Sequence, residues 1–358
     1  MTAPSGARVV VGMSGGVDSS LSAALLKNQG YDVIGMMLRL WSDTDTENRC
    51  CAPDAQQEAR YIAGLLDIPF YLIDAQDQFF QSVVTPFIDG YAQGITPNPC
   101  LNCNRFVRWD FLLNRANTMG AEYLATGHYA RIQKSTTDSY QLYKNKDAGK
   151  DQTYFLHVLT QKNLRQTIFP LAELSKKQVR ELAKEYSLPV ADRPDSQDLC
   201  FVGPGDYRDF LRKSSPEMMK PGPILNPDGN IIGNHQGLAE FTIGQRKGLG
   251  ISNPERYYVI KKDLSLNALI IGPRDDHGQQ EFYADNVNWI SGISPQNPFS
   301  ANVKIRYKSS EVPATITLID PGSSLIKLES PLPDITPGQA AVFYQDDLCL
   351  GGGIIRSN

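Results

Sequence analysis

The chain has 358 residues and a mass of 39.7 kDa, which exceeds one ordinary core and suits about two to three domains. Its 41% hydrophobic and 21% charged residues exclude disordered and collagen-like classes. The net charge of −4 announces no general polyanion binder, so any contact with nucleic acid has to come from a local basic face.

The first predicted element is a short buried strand from Arg8 to Met13. A loop, Ser14-Gly15-Gly16-Val17-Asp18-Ser19-Ser20, leads into a helix with Val17, Leu21, Ala24 and Leu25 on one face, ended by Gly30. Val33 to Leu38 reads as the second strand of a β-loop-α-β unit, the start of a parallel sheet. A helix from Asp54 to Leu66, a strand from Phe70 to Asp74 and a strand from Tyr123 to Thr126 continue the pattern. A helix is expected over Arg105 to Ala116, opened near Cys103. In the helix from Ser175 to Tyr186, Ser175 and Gln178 form a capping box, and Val179, Leu182, Ala183 and Tyr186 make the apolar stripe.

Beyond about residue 205, Pro and Gly become dense and short β-rich runs take over. They are Arg256 to Lys261, Leu269 to Gly272, Asn302 to Tyr307, Ala314 to Ile319, Leu325 to Leu328 and Ala340 to Tyr344, the pattern of a small barrel or sandwich. The expected fold is therefore an α/β N-terminal domain with a parallel sheet, then a small central domain, then a C-terminal all-β barrel. No apolar run approaches the roughly 18 residues of a membrane span. The stretch Val9 to Val11 is too short for a signal-peptide core, so no membrane and a cytoplasmic location are expected.

Six cysteines are too few for a disulfide scaffold. Cys100 and Cys103 form a C-x-x-C pair with no second pair at zinc spacing, and the four histidines show no ligand spacing. For Cys50, Cys51 and Cys349 a packing role is the simpler reading.

Ser14 to Ser19 lies where a ligand binds in such sheets, between a parallel strand and a helix N-terminus. Its glycines allow close backbone approach, its amides make an anion cradle, and Asp18 has the chemistry to hold a magnesium ion carried in on phosphates. No Lys follows the glycines, which excludes a Walker A loop, and no dinucleotide fingerprint is present. The string S-G-G-V-D-S resembles the pyrophosphate loop of the ATP-pyrophosphatase superfamily, whose adenine-nucleotide alpha-hydrolase-like members cleave ATP between the α and β phosphates. By itself it leaves open GMP, argininosuccinate and NAD synthetases, tRNA-lysidine synthetase and the tRNA thiolases.

Further strings narrow the choice. They are Thr96-Pro97-Asn98-Pro99-Cys100-Leu101-Asn102-Cys103-Asn104, Lys150-Asp151-Gln152-Thr153-Tyr154-Phe155-Leu156, Asp195-Ser196-Gln197-Asp198-Leu199-Cys200-Phe201, and Phe241-Thr242-Ile243-Gly244-Gln245-Arg246-Lys247-Gly248-Leu249-Gly250. With Pro337-Gly338-Gln339 and Cys349-Leu350-Gly351-Gly352-Gly353, the chain from about Arg8 to Ile355 resembles the tRNA-specific 2-thiouridylase family. That resemblance implies ATP-dependent 2-thiolation of the wobble uridine in tRNAs of the Lys, Glu and Gln type. It implies an O2-adenylated uridine, release of AMP and pyrophosphate, a persulfide on Cys200, and Cys103 as the nucleophile that forms a disulfide with it. It also implies a cysteine desulfurase or relay protein as sulfur donor.

By family position, Gly12, Met13, Ser14, Gly15, Gly16, Val17, Asp18, Ser19, Met37 and Gly127 bind ATP with magnesium. Asn98, Pro99, Cys100, His128, Lys150, Asp151, Gln152, Arg306, Tyr307 and Gln339 contact the tRNA. The implied domains are a catalytic unit over 1–205, a linking domain over 206–278 and a tRNA-contacting barrel over 279–358. Some relatives carry Asp where this chain has Cys100, so here another base, or Cys100 itself, has to move the proton. An iron–sulfur cluster on Cys100, Cys103 and Cys200 is the less favoured alternative. In Val303-Lys304-Ile305-Arg306-Tyr307-Lys308 a period of two puts Lys304, Arg306 and Lys308 on one face, which suits either solvent or RNA phosphate.

Overall fold

The computed structural model describes residues 6–41, 53–194, 199–202, 206–251, 256–273 and 278–357. Cys50, Cys51, Asp195 to Asp198 and His277 lie outside the described residues.

Strands β1 (Arg8–Gly12), β2 (Asp32–Arg39), β3 (Phe70–Asp74), β4 (Tyr123–Thr126) and, much later in the chain, Thr167–Ile168 form one parallel sheet. Its order runs β3-β2-β1-β4 and then Thr167–Ile168, so β1 is central. Val9, Val10 and Val11 are each fully buried because helices cover both faces of the sheet. Val9 and Val11 face a core shared with helices α1 (Val17–Asn28), α2 (Pro53–Leu65) and Lys176–Glu185. Val10 faces the opposite core, with Trp109, Leu112 and Leu124. The chain leaves β1 toward β2 on one side and β4 on the other, which makes the carboxyl end of β1 the switch point of the sheet.

Two β domains follow. Four strands, Tyr258–Asp263, Ala268–Gly272, Gly222–Leu225 and Ile231–His235 in that spatial order, close over a small core of Ile224, Phe241, Val259, Leu269 and Ile271. The last part is a closed six-stranded antiparallel barrel. Its strands run in the order Gln279–Trp289, Ser323–Leu332, Val312–Asp320, Phe299–Lys304, Ala340–Gln345 and Leu348–Ile355, and the last pairs back with the first. Phe282, Val303, Ile316, Ile326 and Phe343 fill it.

The expected α/β-then-β architecture is present, with local differences. A hairpin, β5 (Ala130–Lys134) with β6 (Tyr140–Lys144), extends the barrel sheet, where Leu142 pairs with Cys349. The barrel thereby shares a core with the parallel sheet, in which Val10, Leu142, Val342 and Tyr344 belong to one cluster. The strand expected over Asn302 to Tyr307 occupies Phe299–Lys304, so the alternating face ends at Lys304 and Arg306 and Tyr307 stand in a bend and turn.

The helix expected from Arg105 begins earlier, with Pro99 in its first position. Asn98 explains the early start, because its side chain accepts from Cys100 N and caps the first turn. Cys100 therefore occupies the first turn. Cys103 opens a widened π-type stretch, Cys103–Leu112, one turn further along.

Candidate active site

The loop from Met13 to Gly16 joins β1 to α1. Gly15 has φ +69, and a Cβ there would lie 2.6 Å from Ala55 O, so this position needs glycine twice over. Gly16 caps α1 without any side-chain acceptor, which leaves the first-turn amides to an external anion. Ser19 Oγ accepts from Ser14 N at 3.1 Å and lies 3.3 Å from Ser14 Oγ, so the loop is held by its own hydroxyls. Met13 is buried beside Gly35, whose Cβ position falls 2.7 Å from the Met13 sulfur. Such a cradle of bare amides and hydroxyls fits a polyphosphate.

Two cations reach this loop from distant sequence, and the sequence reading missed both. Lys176 Nζ contacts both Asp18 carboxylate oxygens, at 2.8 and 2.9 Å, and Arg193 Nη1 donates to Gly15 O at 2.9 Å. Tyr129 OH also donates to Asp18 Oδ1, at 2.7 Å. The Asp18 carboxylate thus already serves an ammonium and a phenol, and a magnesium ion would compete with them for the same oxygens. Lys176 follows the helix cap Ser175, so its side chain is aimed by the capping box that the sequence does show. Its convergence on residue 18 has no local signature.

Gly127 follows the end of β4 next to the loop, whereas Met37 lies inside β2, two residues before its end at Arg39. A Cβ on Gly127 would lie 2.8 Å from Asp18 C and Ser19 N, so this glycine lets β4 pack against the first turn of α1. Met37 as a whole residue is only 1% exposed and packs inside the core. His128 is 7% exposed. Arg108 Nη1 donates to His128 Nε2 at 2.7 Å, which leaves the ring proton on Nδ1 to donate to Thr126 Oγ1, also at 2.7 Å. Burial and the Arg108 charge hold this imidazole well below its usual pKa, and both nitrogens are engaged within the protein. A tRNA contact by this side chain would cost one of those bonds.

The thiols lie along the same edge of the sheet. Leu40 and Ala75, just past the ends of β2 and β3, belong to an aromatic cluster with Phe79, Phe87, Phe201 and Phe210. Cys103 and Cys200 both pack on that cluster as half-buried side chains, and both are thiols rather than disulfides. Phe201, adjacent to Cys200, meets Phe87 edge-on at 5.2 Å and Phe79 at 5.8 Å. The helix that carries Cys103 runs on to Leu112, whose side chain is 3.3 Å from the Cβ position of Gly12 at the end of β1. Cys100 is half-buried in the first turn beside Asn98. Among the described residues, no three His, Cys, Asp or Glu side chains are grouped to hold a metal ion. Cys349 is a different case, since burial in the shared core raises its thiol pKa and it belongs to the packing.

Of the remaining candidate tRNA residues, Gln339 and Arg306 form joints between the domains. Gln339 Nε2 donates to Thr96 O at 2.9 Å and Thr96 N donates to Pro337 O at 2.8 Å, docking the barrel on the loop ahead of Asn98. Arg306 donates to Ile243 O at 2.8 Å and to Thr336 Oγ1, tying the barrel to the Phe241–Gly250 string. Tyr307 packs on Phe155, with ring centroids 4.5 Å apart. Asp151 is buried and accepts from Asn145 N, Thr153 N and Thr153 Oγ1, and burial raises its pKa against those bonds. Gln152 Oε1 accepts from Tyr129 N, while Lys150 stands half-buried on the same loop.

A polyphosphate cradle at the switch point of a parallel sheet, with two β domains appended, defines an α/β nucleotide-loop protein of composite type. Family models match in three consecutive stretches. Residues 7–204 match a tRNA methyl transferase HUP domain, 208–273 a tRNA methyl transferase PRC-barrel domain, and 279–355 an aminomethyltransferase β-barrel domain. The chain is 44% identical over 352 residues to the tRNA-specific 2-thiouridylase MnmA of Chloroflexus aggregans, covering 98% of both chains. It is 44% identical over 356 residues to that of Natranaerobius thermophilus, covering 97% of both, and 45% identical over 352 residues to that of Chloroflexus aurantiacus, covering 98% of both. The chain belongs to the tRNA-specific 2-thiouridylase family. The family-model descriptions speak of methyl transfer, whereas these full-length relatives are thiouridylases.

Proposed function

We propose that this protein is an ATP-dependent sulfurtransferase that replaces O2 of the wobble uridine of tRNA with sulfur. The uracil C2 carbonyl is a weak electrophile with a poor leaving oxygen. In the first step O2 bonds to the α-phosphorus of ATP and pyrophosphate leaves, which converts that oxygen into part of AMP. The first-turn amides of α1, the Ser14 and Ser19 hydroxyls and the Lys176 ammonium would hold the phosphates. Magnesium carried on the nucleotide would neutralise phosphate charge, and the Asp18 carboxylate would be the residue to hold it, in competition with Lys176 and Tyr129.

In the second step the terminal sulfur of a Cys200 persulfide bonds to C2 and AMP departs with the oxygen. The Cys103 thiolate then attacks the Cys200 Sγ and breaks the sulfur–sulfur bond. The bond's electron pair stays on the sulfur left at C2, and a Cys103–Cys200 disulfide remains. An external thiol reduces it, and a persulfide donor reloads Cys200. Asn98 caps the helix through Cys100 N and also bonds the Tyr154 side chain, so the second N–H of its amide would read the uracil edge. A base that leaves the anticodon stack, as base-modifying enzymes require, would enter between that turn and the phosphate loop.

The observation that carries this reading is the shared aromatic cluster under Cys103 and Cys200, 97 positions apart in the chain, at the same sheet edge as the phosphate loop. The test is mass spectrometry of tRNA after incubation with ATP and a persulfide source. Wild type should add one sulfur for oxygen at the wobble uridine, and Cys200→Ser should add none while still releasing pyrophosphate. Thiolation by Cys200→Ser at the wild-type rate would refute the role of that cysteine, and absence of pyrophosphate release by wild type with tRNA would leave only a binding protein.

A further inference from the structure

The chain crosses from the parallel sheet to the barrel sheet between β4, which ends at Thr126, and β5, which begins at Ala130. Tyr129 sits in this crossing and is bonded in both directions. Its backbone N–H donates to Gln152 Oε1 and its carbonyl accepts from Gln152 N, both at 2.9 Å. Its hydroxyl donates to Asp18 Oδ1 in the phosphate loop. The ring is buried in the core beneath α1, so it has little room to swing.

A second connection runs beside the first. Lys176 Nζ holds the Asp18 carboxylate, and Lys176 N donates to Asp147 Oδ2 at 3.1 Å. Asp147 N in turn donates to Asn145 Oδ1 at 2.7 Å, and Asn145 N donates to Asp151 Oδ1 at 3.1 Å. The segment from Asn145 to Gln152 is thus tied to one carboxylate, Asp18, by two separate routes. It is also fastened to the barrel, because Lys144 N donates to Asp347 O at 2.8 Å and Lys144 Nζ to Asp346 O.

From this closed ring of bonds we infer that Tyr129 is a positioning residue that couples tRNA occupancy of the Lys150-Asp151-Gln152 segment to nucleotide occupancy of the phosphate loop. The inference rests on the reading above that this segment contacts tRNA and the loop contacts ATP. RNA that settles on the segment fixes Gln152, Gln152 fixes the Tyr129 backbone, and the phenol fixes the orientation of Asp18. Each ligand therefore meets a site already ordered by the other, and the coupling is reciprocal.

The experiment is a binding cycle on the full chain with two probes: α,β-methylene-ATP, which resists cleavage at the reacting bond, and an unmodified tRNA transcript with uridine at the wobble position. The dissociation constant of each is measured alone and with the other saturating. Wild type should show a coupling factor of about fivefold or more. Tyr129→Phe keeps the ring and removes one hydroxyl, and its coupling factor should fall toward one. Asp147→Asn, which weakens the second route, should lower the factor independently and serves if Tyr129→Phe melts early. An unchanged factor in a folded Tyr129→Phe, or in Asp147→Asn where Tyr129→Phe melts, or a factor of one in wild type that binds both probes, overturns the inference and leaves the proposed function standing. Failure of wild type to bind either probe removes that function, and this inference with it.

Discussion

The Lys176 ammonium lies 2.8 Å from Asp18 Oδ1, although 158 positions separate the two residues in the chain. The side chains are 12% and 32% exposed, so the pair is shielded enough to matter more than a surface ion pair. It supplies the cation that the glycine loop itself lacks.

Lys176→Met should weaken ATP binding by about 2 kcal/mol, roughly thirtyfold, the worth of a hydrogen bond to a charged group. Titration calorimetry with ATP reads this directly, and Lys176→Arg should recover part of the loss. Wild-type affinity in Lys176→Met would confine the lysine to neutralising Asp18.

Gly127→Ala should strain the contact between β4 and α1, because the new methyl falls 2.8 Å from Asp18 C and Ser19 N. Backbone atoms cannot step aside cheaply, so a loss of about 1–3 kcal/mol in stability is expected, together with weaker nucleotide binding. Thermal melting with and without ATP gives both numbers. A variant as stable as wild type would mean that the strand end shifts freely.

Gln339→Ala removes the amide that holds Thr96 O and should loosen the turn that carries Asn98 and Cys100. Thiolation should drop several-fold while ATP affinity in the absence of tRNA stays as in wild type. The check is single-turnover thiolation beside a nucleotide titration, and equal damage to both would point to general unfolding.

Acid should destabilise the protein through His157. It is buried, donates from Nδ1 to Tyr154 O at 2.8 Å, and burial pushes its pKa down from 6.5 to about 4. Between those values the unfolded imidazole takes up a proton and the folded one does not. Stability therefore falls as pH drops below 6.5 and levels off below about 4, by about 1.4 kcal/mol for each pH unit between. Buried His128 adds to the loss in the same direction. Denaturant melts from pH 7 to pH 5 should show the slope, and it should shrink in His157→Gln.

Local pattern made the parallel sheet legible. The apolar run of β1, the glycine loop and the Ser175–Gln178 box each carry their own signal, and the structure has them. By contrast, α1 is buried on most of its sides rather than along the Val17, Leu21, Ala24 and Leu25 stripe alone. The shared core between sheet and barrel was hidden, because β6 finds its partner Cys349 some two hundred positions away and no periodicity encodes a pairing at that distance. The hairpin's own cue was the polar turn Thr136-Thr137-Asp138-Ser139 between alternating runs. The early helix start at Pro99 was also readable in principle, since Asn98-Pro99 is a cap followed by the residue favoured in the first turn. The widened stretches Phe80–Val84 and Cys103–Leu112 have no such cue, because packing decides them. Motif residues that resemblance gave to RNA, such as Gln339 and Arg306, also proved to hold the domains together, a role that only their partners reveal.

The most direct test of the thiol pair is a single turnover without external reductant, followed by alkylation, proteolysis and peptide mass spectrometry. The enzyme is first loaded with persulfide and then given ATP and tRNA. The mechanism requires a peptide linked through Cys103 and Cys200, formed in proportion to the thiolated tRNA. Thiolated tRNA in full yield with both cysteines alkylated and unlinked would contradict it.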